Sequence, residues 1–138
     1  MNWRKFGIAF IVVYIVNRIL SFLIHAVWLG ETYGSLAHLW RPDADLVAKQ
    51  WIMFVTAVFY CFFFVYIYIK GCENKGLIEG VRFGVVIGLF ISVPTSYEWY
   101  VILAIPYSLA LKWCLSGILS SIIMGVVVAA LYKPKQPE

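Results

Sequence analysis

Residues 51–69, WIMFVTAVFYCFFFVYIYI, run for nineteen positions without a charged side chain. A helix needs about 20 apolar residues to cross a hydrocarbon core roughly 30 Å thick, so this segment predicts a membrane-spanning helix. Three further segments meet the same requirement, at about residues 6–29, 80–99 and 112–132. The sequence therefore predicts an all-α polytopic membrane protein, in which residues 1–138 form one domain of four transmembrane helices.

The composition of the 138-residue chain leads to the same fold class. It is 63% hydrophobic and 13% charged, with a mean hydropathy of +0.87. A water-soluble domain is about 25% charged. Because too few polar side chains remain to cover a particle in water, a lipid bilayer is the predicted solvent.

Proline marks two predicted helix starts. In residues 41–45, RPDAD, proline fits the first turn and the two acids favour the positive end of the helix dipole, so the second helix is predicted to begin before its apolar run. Pro106 predicts another start. The apolar residues 101–111 around it fit either an interfacial segment or an extension of the fourth span.

The basic residues predict the orientation. Seven flank the spans on one side: Arg4, Lys5, Lys70, Lys75, Arg82, Lys133 and Lys135. Three lie on the other side: Arg41, Lys49 and Lys112. Since basic residues concentrate in cytoplasmic loops, both termini are predicted to be cytoplasmic. The basic residues lie beside apolar runs rather than in one patch, so nucleic acid is not a predicted partner.

Small residues recur at every fourth position in the last two spans, in the manner of a glycine zipper. The third span has Gly76, Gly80, Gly84 and Gly88, continued by Ser92 and Ser96, and the fourth has Gly117, Ser121, Gly125 and Ala129. Stripes of this kind let helix backbones approach closely in lipid. Either the two stripes face each other within one chain, or one of them packs against a second copy or a partner protein.

Polar side chains gather on the first span at helical spacing: Tyr14, Asn17, Arg18, Ser21 and His25. An arginine at mid-span costs roughly 2.5 to 3.5 kcal/mol on insertion. The nearest acids, Glu79 and Glu98, lie about 15 Å away along the helix axis, so neither is a predicted ion-pair partner. Arg18 therefore has three possible roles: contact with neighbouring carbonyls, hydroxyls and the interface, contact with a partner subunit or lipid head group, or binding of an anionic ligand.

His25 and Glu98 are predicted to lie at similar depth near the outer face. His25 is then either a hydrogen-bonded packing residue or, with Glu98, part of a proton relay or metal site. The sequence contains no nucleotide-binding, zinc-protease or nucleophile motif. It indicates no cofactor, and we name no catalytic residue and no metal ligand from it.

Three segments in the second half of the chain carry a resemblance: residues 75–84 (KGLIEGVRFG), 104–106 (AIP) and 131–134 (LYKP). On these residues the chain resembles small four-span membrane proteins of bacteria that have no assigned activity. The resemblance covers about half of the chain and implies the four-span fold, but it transfers no functional residue. Small four-helix multidrug exporters are similar in size, yet they carry a glutamate in the first span, where this chain has Arg18 and no acid.

Taken together, the sequence predicts a non-enzymatic accessory or structural subunit of a larger membrane complex. Its predicted partners are the lipid bilayer and either a membrane protein or a second copy of the chain. One alternative is a small oligomeric transporter or channel with Asn17, Arg18 and His25 along an aqueous path. The other is a membrane enzyme with an outer-face site of His25 and Glu98, joined by Asp43 or Asp45.

Overall fold

The computed structural model describes residues 2–133, which are 86% helical and contain no strand. The elements in chain order are α1 (Trp3–Phe22), a π-helical segment (Leu23–Trp28), α2 (Gly30–Ser35), a 3-10 turn (Ala37–Leu39), α3 (Asp43–Lys70), α4 (Leu77–Ile102) and α5 (Tyr107–Leu131). Four helices are long and apolar enough to cross a membrane: α1 with its π-helical extension, α3, α4 and α5. The all-α, four-helix prediction is confirmed at this level.

The helices extend beyond the predicted spans, because each begins or ends in polar or interfacial turns. Helix α3 begins at Asp43 directly after Pro42, with Asp45 also in its first turn, as the RPDAD segment predicted. The ambiguous residues 101–111 divide between two helices: α4 ends at Ile102 and α5 begins at Tyr107. The helix start at Pro106 is confirmed, so α5 begins before the fourth span predicted from about residue 112, and the point at which that span enters a membrane stays a prediction.

Helices α4 and α5 form an antiparallel pair with direct backbone contact. Gly80, Gly84 and Gly88 are buried in α4. A methyl group on Gly84 would lie 2.5 Å from the Cα atom of Ile122, and one on Gly88 would lie 2.8 Å from the Cα atom of Ile118. A methyl group on Gly125 would overlap the carbonyl oxygen of Gly80. The two stripes of small residues thus lie against each other within one chain.

Gly76 does not belong to that stripe, and its prediction as a helix-packing residue is wrong. It precedes the first residue of α4 and has a φ of +73°, in the left-handed region that favours glycine. A methyl group there would meet no atom within 4 Å. The spacing of four residues continues past the point where the helix begins, and Gly76 serves the turn between α3 and α4 instead.

The bundle has two distinct ends. We call the end with residues 2–5, 71–76 and 132–133 the terminal end, and the end with residues 23–42 and 103–106 the loop end. Toward the terminal end, α1, α3 and α5 enclose a core that includes Val13, Val65 and Val128. At the loop end, a second cluster of Leu29 and Leu109 fixes the segment after α1 to the start of α5.

Candidate ligand-binding cavity

A cavity of 1080 Å³ lies in the loop-end half of the bundle. Its walls come from α1, α3, α4, α5 and the segment between α1 and α3. Along α3 it extends from Leu46 to Tyr60, which corresponds to about 21 Å of helix. Tyr60 lies near the middle of the apolar run 51–69, so the cavity reaches about halfway through the bundle.

One wall of this cavity is rich in hydroxyl groups. They come from α4 and α5: Ser92, Thr95, Ser96, Ser116, Ser120 and Ser121. The Ser121 hydroxyl lies 3.3 Å from the Tyr60 hydroxyl of α3, and the Ser116 hydroxyl donates to the Trp113 carbonyl at 3.2 Å. Asn17 and Ser21 of α1 and Gln50 of α3 add further polar groups to the lining.

The lining is almost free of charge. Among residues 2–133 no carboxylate lines the cavity, and Arg41 is the one ionised side chain that does. Arg41 lies at the loop-end rim, where its Nη1 atom is 3.2 Å from Oδ2 of Asp45. Lys49 binds the other oxygen of the same carboxylate. Arg41 and Lys49 thus share one carboxylate at the rim, outside the hydroxyl-rich wall.

Tyr33 connects three helical segments through one hydroxyl group. Trp113 of α5 donates its indole N–H to the Tyr33 hydroxyl at 2.7 Å, and that hydroxyl lies 2.6 Å from Nδ1 of His25. Because indole N–H is a donor only, the Tyr33 oxygen accepts from it and its own hydrogen is free to point at Nδ1. The Tyr33 oxygen has a second lone pair that accepts equally well from an Nδ1–H, so this contact occupies Nδ1 in either tautomer of His25 and leaves Nε2 as the remaining ring nitrogen.

Packing around Tyr33 makes this network rigid. The ring of His25 stacks on that of Tyr33 at an interplanar angle of 13°, and the Trp40 ring meets Tyr33 edge-on at 84°. Trp40 also donates its indole N–H to the Tyr33 carbonyl at 3.2 Å. Burial raises the pKa of Tyr33 above its usual value, and the hydrogen bond from Trp113 partly opposes that rise.

The π-helical segment decides which polar residues of the first span meet at the cavity. In a uniform α-helix, His25 would project within about 20° of Arg18. A π-helical turn is wider and advances fewer degrees per residue, which moves His25 toward the face of Asn17 and Ser21. Of the polar residues that the sequence groups on this span, Asn17, Ser21 and His25 line the cavity, and Tyr14 and Arg18 do not.

Arg18 lies against α3 outside the cavity. The central carbon of its guanidinium is 4.5 Å from the ring centroid of Phe54, a cation–π contact. Within the described range 2–133, no carboxylate forms an ion pair with Arg18 and no group forms a hydrogen bond with its side chain. The long distance to Glu79 and Glu98 that the sequence predicted agrees with this geometry.

Glu98 also lies outside the cavity. It is exposed on α4 and does not line the cavity wall, and the side-chain partner of His25 is Tyr33. The structure therefore does not form the His25–Glu98 pair on which the enzyme alternative was based. No cluster of three or more histidine, cysteine, aspartate or glutamate side chains suited to a metal ion occurs in residues 2–133.

The chain matches no protein-family model, no curated protein and no solved structure. Its site must therefore be interpreted from its own geometry.

The sequence did not identify Tyr33 as a site residue, and it assigned several serines that line the cavity to helix packing alone. Ser92, Ser96 and Ser121 were assigned to helix packing alone, although they also line the cavity. A usable signal was present, since α4 and α5 each carry adjacent hydroxyl residues within apolar runs, Thr95-Ser96 and Ser120-Ser121. Tyr33 gave no such signal, because only the folded loop places it between α1 and α5.

Proposed function

We propose that this protein is a non-catalytic membrane protein of the bacterial inner membrane that binds one lipid molecule in its loop-end cavity. The observation that carries the proposal is the two-sided character of the cavity: a wall of uncharged hydroxyl groups and a flank of exposed apolar side chains. A lipid has the same division into a polar head and apolar chains. The cavity volume of 1080 Å³ is at the upper end of the range for small-molecule sites.

Lateral entry from the bilayer is supported by the way α3 and α4 diverge. Near the terminal end the two helices are in contact, since Phe83 packs edge-on against Phe64 and Tyr68 at centroid distances of 4.9 and 5.3 Å. Toward the loop end, Met53 of α3 and Trp99 of α4 both line the cavity and are exposed. In a bilayer such a gap faces acyl chains, so a lipid enters without crossing water.

Binding is favoured over passage through the protein. The lining ends near Tyr60 and Met124, and beyond them the buried core of α1, α3 and α5 fills the terminal-end half. Arg18, which a transport path would have used, lies outside the lining. With the predicted orientation, the lipid comes from the outer leaflet.

Photocrosslinking tests this proposal. The protein is reconstituted with a diacylglycerol that carries a diazirine in one acyl chain, irradiated and digested, and adducts are mapped by mass spectrometry. We expect adducts on the buried Met124, which lines the cavity, in the wild type and their loss in Ser120→Leu, which fills the cavity. Ser108→Leu is the matched control, because Ser108 is exposed on the same helix outside the cavity. Adducts at Met124 that persist in Ser120→Leu would contradict the proposal.

A second role, as an accessory subunit of a larger membrane complex, is favoured by Arg18. A guanidinium at mid-span with only an aromatic contact in the described chain is suited to a carboxylate or a lipid phosphate supplied by a partner. We expect the wild type to co-purify with a membrane protein from its native membrane in mild detergent, and Arg18→Gln to lose it. Arg82→Gln, a change at an exposed basic residue of α4, should retain the partner. A pure monomer from native membrane would exclude this role.

A further inference from the structure

We infer that the lipid bound in the cavity carries an uncharged head group with several hydroxyl groups, of which a glycosyl diacylglycerol is the simplest chemical example. This inference rests on the proposed function and adds the chemical class of the ligand. It is carried by two unpartnered buried serines, by the absence of charge in the wall around them, and by the ring nitrogen of His25 that Tyr33 leaves available.

The first observation concerns Ser92 and Ser96, which lie one turn apart on α4. They are only 8% and 3% exposed, and both line the cavity. Within residues 2–133 neither hydroxyl has a hydrogen-bond partner, yet neither oxygen is completely sealed from the cavity space. A buried hydroxyl without a partner is unfavourable, so these two groups are prepared to bond with a molecule that occupies the cavity.

The neighbouring helix α5 contributes a second pair of serine hydroxyl groups to the same wall. Ser116 and Ser120 lie one turn apart on α5, and both line the same space. The hydrogen of Ser116 is used by the Trp113 carbonyl, which leaves the Ser116 oxygen as an acceptor. A hydroxyl group both donates and accepts. A ligand that also bears hydroxyl groups can therefore satisfy both pairs of serines, whereas a pure acceptor such as phosphate cannot satisfy the Ser116 oxygen.

The second observation is the lack of a counter-ion. Arg41 is the one ionised group in the lining among the described residues, and it lies at the loop-end rim rather than between the serines, where it shares Asp45 with Lys49. A phosphate or ammonium group placed between the serines would lose its hydration without gaining an opposite charge, which is strongly unfavourable in an apolar surrounding. The wall therefore selects against ionised head groups.

The third observation is the orientation of His25 at the cavity. The Tyr33 hydroxyl occupies Nδ1, so Nε2 is the ring nitrogen that remains for a ligand, as a donor or as an acceptor according to the tautomer. His25 lines the cavity on the side of α1, across from the hydroxyl wall. A head-group hydroxyl between the two walls both donates and accepts, so it bonds to Nε2 in either tautomer while its neighbours bond to Ser92 and Ser96.

Native mass spectrometry of the purified full chain tests this assignment. The protein is incubated in detergent with equal amounts of monoglucosyl diacylglycerol, phosphatidylethanolamine and phosphatidylglycerol that carry identical acyl chains. We expect the glucosyl lipid to be retained at least about five-fold more than phosphatidylglycerol, which has hydroxyl groups but also a negative charge; this factor corresponds to roughly one net hydrogen bond.

Two conservative variants test the serines separately. Ser92→Ala and Ser96→Ala each remove one hydroxyl and leave the packing with α5 nearly unchanged, and each should lower that preference by about three-fold, toward equal retention of the lipids. Ser108→Ala, on the exposed face of α5, should leave it unchanged. Because the two serines are independent, a variant that fails to fold does not prevent the test.

The outcomes separate this inference from the proposed function. If all three lipids are retained equally, or if phosphatidylglycerol is preferred, the head-group assignment is wrong and lipid binding stands. If the Ser92→Ala and Ser96→Ala proteins keep the full preference, the assignment of these serines is wrong. If no lipid is retained and the diazirine adducts are also absent, lipid binding itself fails and the inference with it.

Discussion

The side-chain ammonium of Lys5 donates a hydrogen bond to the backbone carbonyl of Lys133 at 2.7 Å. This contact joins the start of α1 to the end of α5 at the terminal end. Lys133 also borders a small cavity together with Asn74 of the turn between α3 and α4. Asp43 lies at the loop end of α3, about 40 Å along the helix axis from the terminal end of the same helix.

The basic residues are therefore segregated as the positive-inside interpretation requires. Six of the seven predicted for one side lie at or beside the terminal end: Arg4, Lys5, Lys70, Lys75, Arg82 and Lys133. The seventh, Lys135, lies outside the described residues. That this end is cytoplasmic stays a prediction, because the arrangement fixes which residues share a side and not which side faces the cytoplasm.

Cysteine labelling tests the orientation. In a chain with its three native cysteines replaced, Glu31→Cys places a thiol at the loop end and Asn74→Cys places one at the terminal end; both positions are exposed. A membrane-impermeant maleimide should label position 31 in intact spheroplasts and position 74 only after the membrane is opened. Labelling of position 74 alone before opening would reverse the orientation.

Helix pairing between α4 and α5 should be sensitive to one methyl group. In Gly84→Ala the new methyl would lie 2.5 Å from the Ile122 Cα atom, which belongs to backbone and cannot rotate away. Overpacking of this kind costs about 1 to 3 kcal/mol. Gly7→Ala is the control, because nothing lies within 4 Å of the added methyl and alanine favours a helix over glycine.

The measurement is the free energy of unfolding in mixed micelles titrated with SDS. Gly84→Ala should unfold at a lower SDS fraction than the wild type, and Gly7→Ala at an equal or higher one. Equal stability of the two variants would show that α4 and α5 separate without cost, contrary to the close approach of Gly84 to Ile122.

The sequence predicted the features that depend on local pattern. Apolar length identified four helices, proline and acidic residues identified the start of α3, and spacing by four identified Gly80 and Gly84 as packing residues. Gly76 has the same spacing but lies outside the helix. The spacing by four residues therefore extends one position beyond the start of α4, where it no longer indicates helix packing.

The cavity depends on features that single segments do not carry. His25 reaches the cavity because a π-helical turn rotates it away from Arg18, and no residue type in positions 23–28 marks such a turn. Tyr33 reaches His25 because the loop folds back on α5. Ser92 and Ser96 have the size of packing residues, and Ser92 does pack on α5 with its hydroxyl oxygen against Gly117; only the folded bundle shows that both serines also border the cavity.

Glu79 should stabilise the turn at the terminal end. Its carboxylate is buried and accepts the backbone N–H of Glu73 at 2.5 Å and that of Lys75 at 2.8 Å, one on each oxygen. Glu79→Gln replaces one acceptor by a donor and leaves a backbone N–H unsatisfied, at a cost of about 1 to 3 kcal/mol. Glu98→Gln makes the same chemical change at an exposed position and should stay within about 0.5 kcal/mol of the wild type.

Limited proteolysis gives a local measurement of the same effect. Cleavage within residues 71–76 should be faster in Glu79→Gln than in the wild type, and unchanged in Glu98→Gln. If both variants resist cleavage equally, the two hydrogen bonds to Glu79 do not hold this turn.

The burial of Tyr33 predicts how the free energy of unfolding changes at alkaline pH. Burial raises the pKa of its hydroxyl in the folded protein above the value of about 10 that it has when unfolded. A raised pKa means that folding favours the neutral form, so its contribution is fully present below pH 10 and is lost as the pH rises through the folded value. Above about pH 10 the wild type should therefore lose unfolding free energy faster than Tyr33→Phe, which shares every other ionisable group.

Below pH 9 the hydroxyl of Tyr33 is neutral, and the two proteins should differ by a constant amount. Tyr33→Phe should be less stable there by about 1 kcal/mol, because it lacks the hydrogen bond from Trp113. Parallel stability curves for the two proteins between pH 8 and 11 would mean that the Tyr33 hydroxyl is solvated and that it does not orient His25.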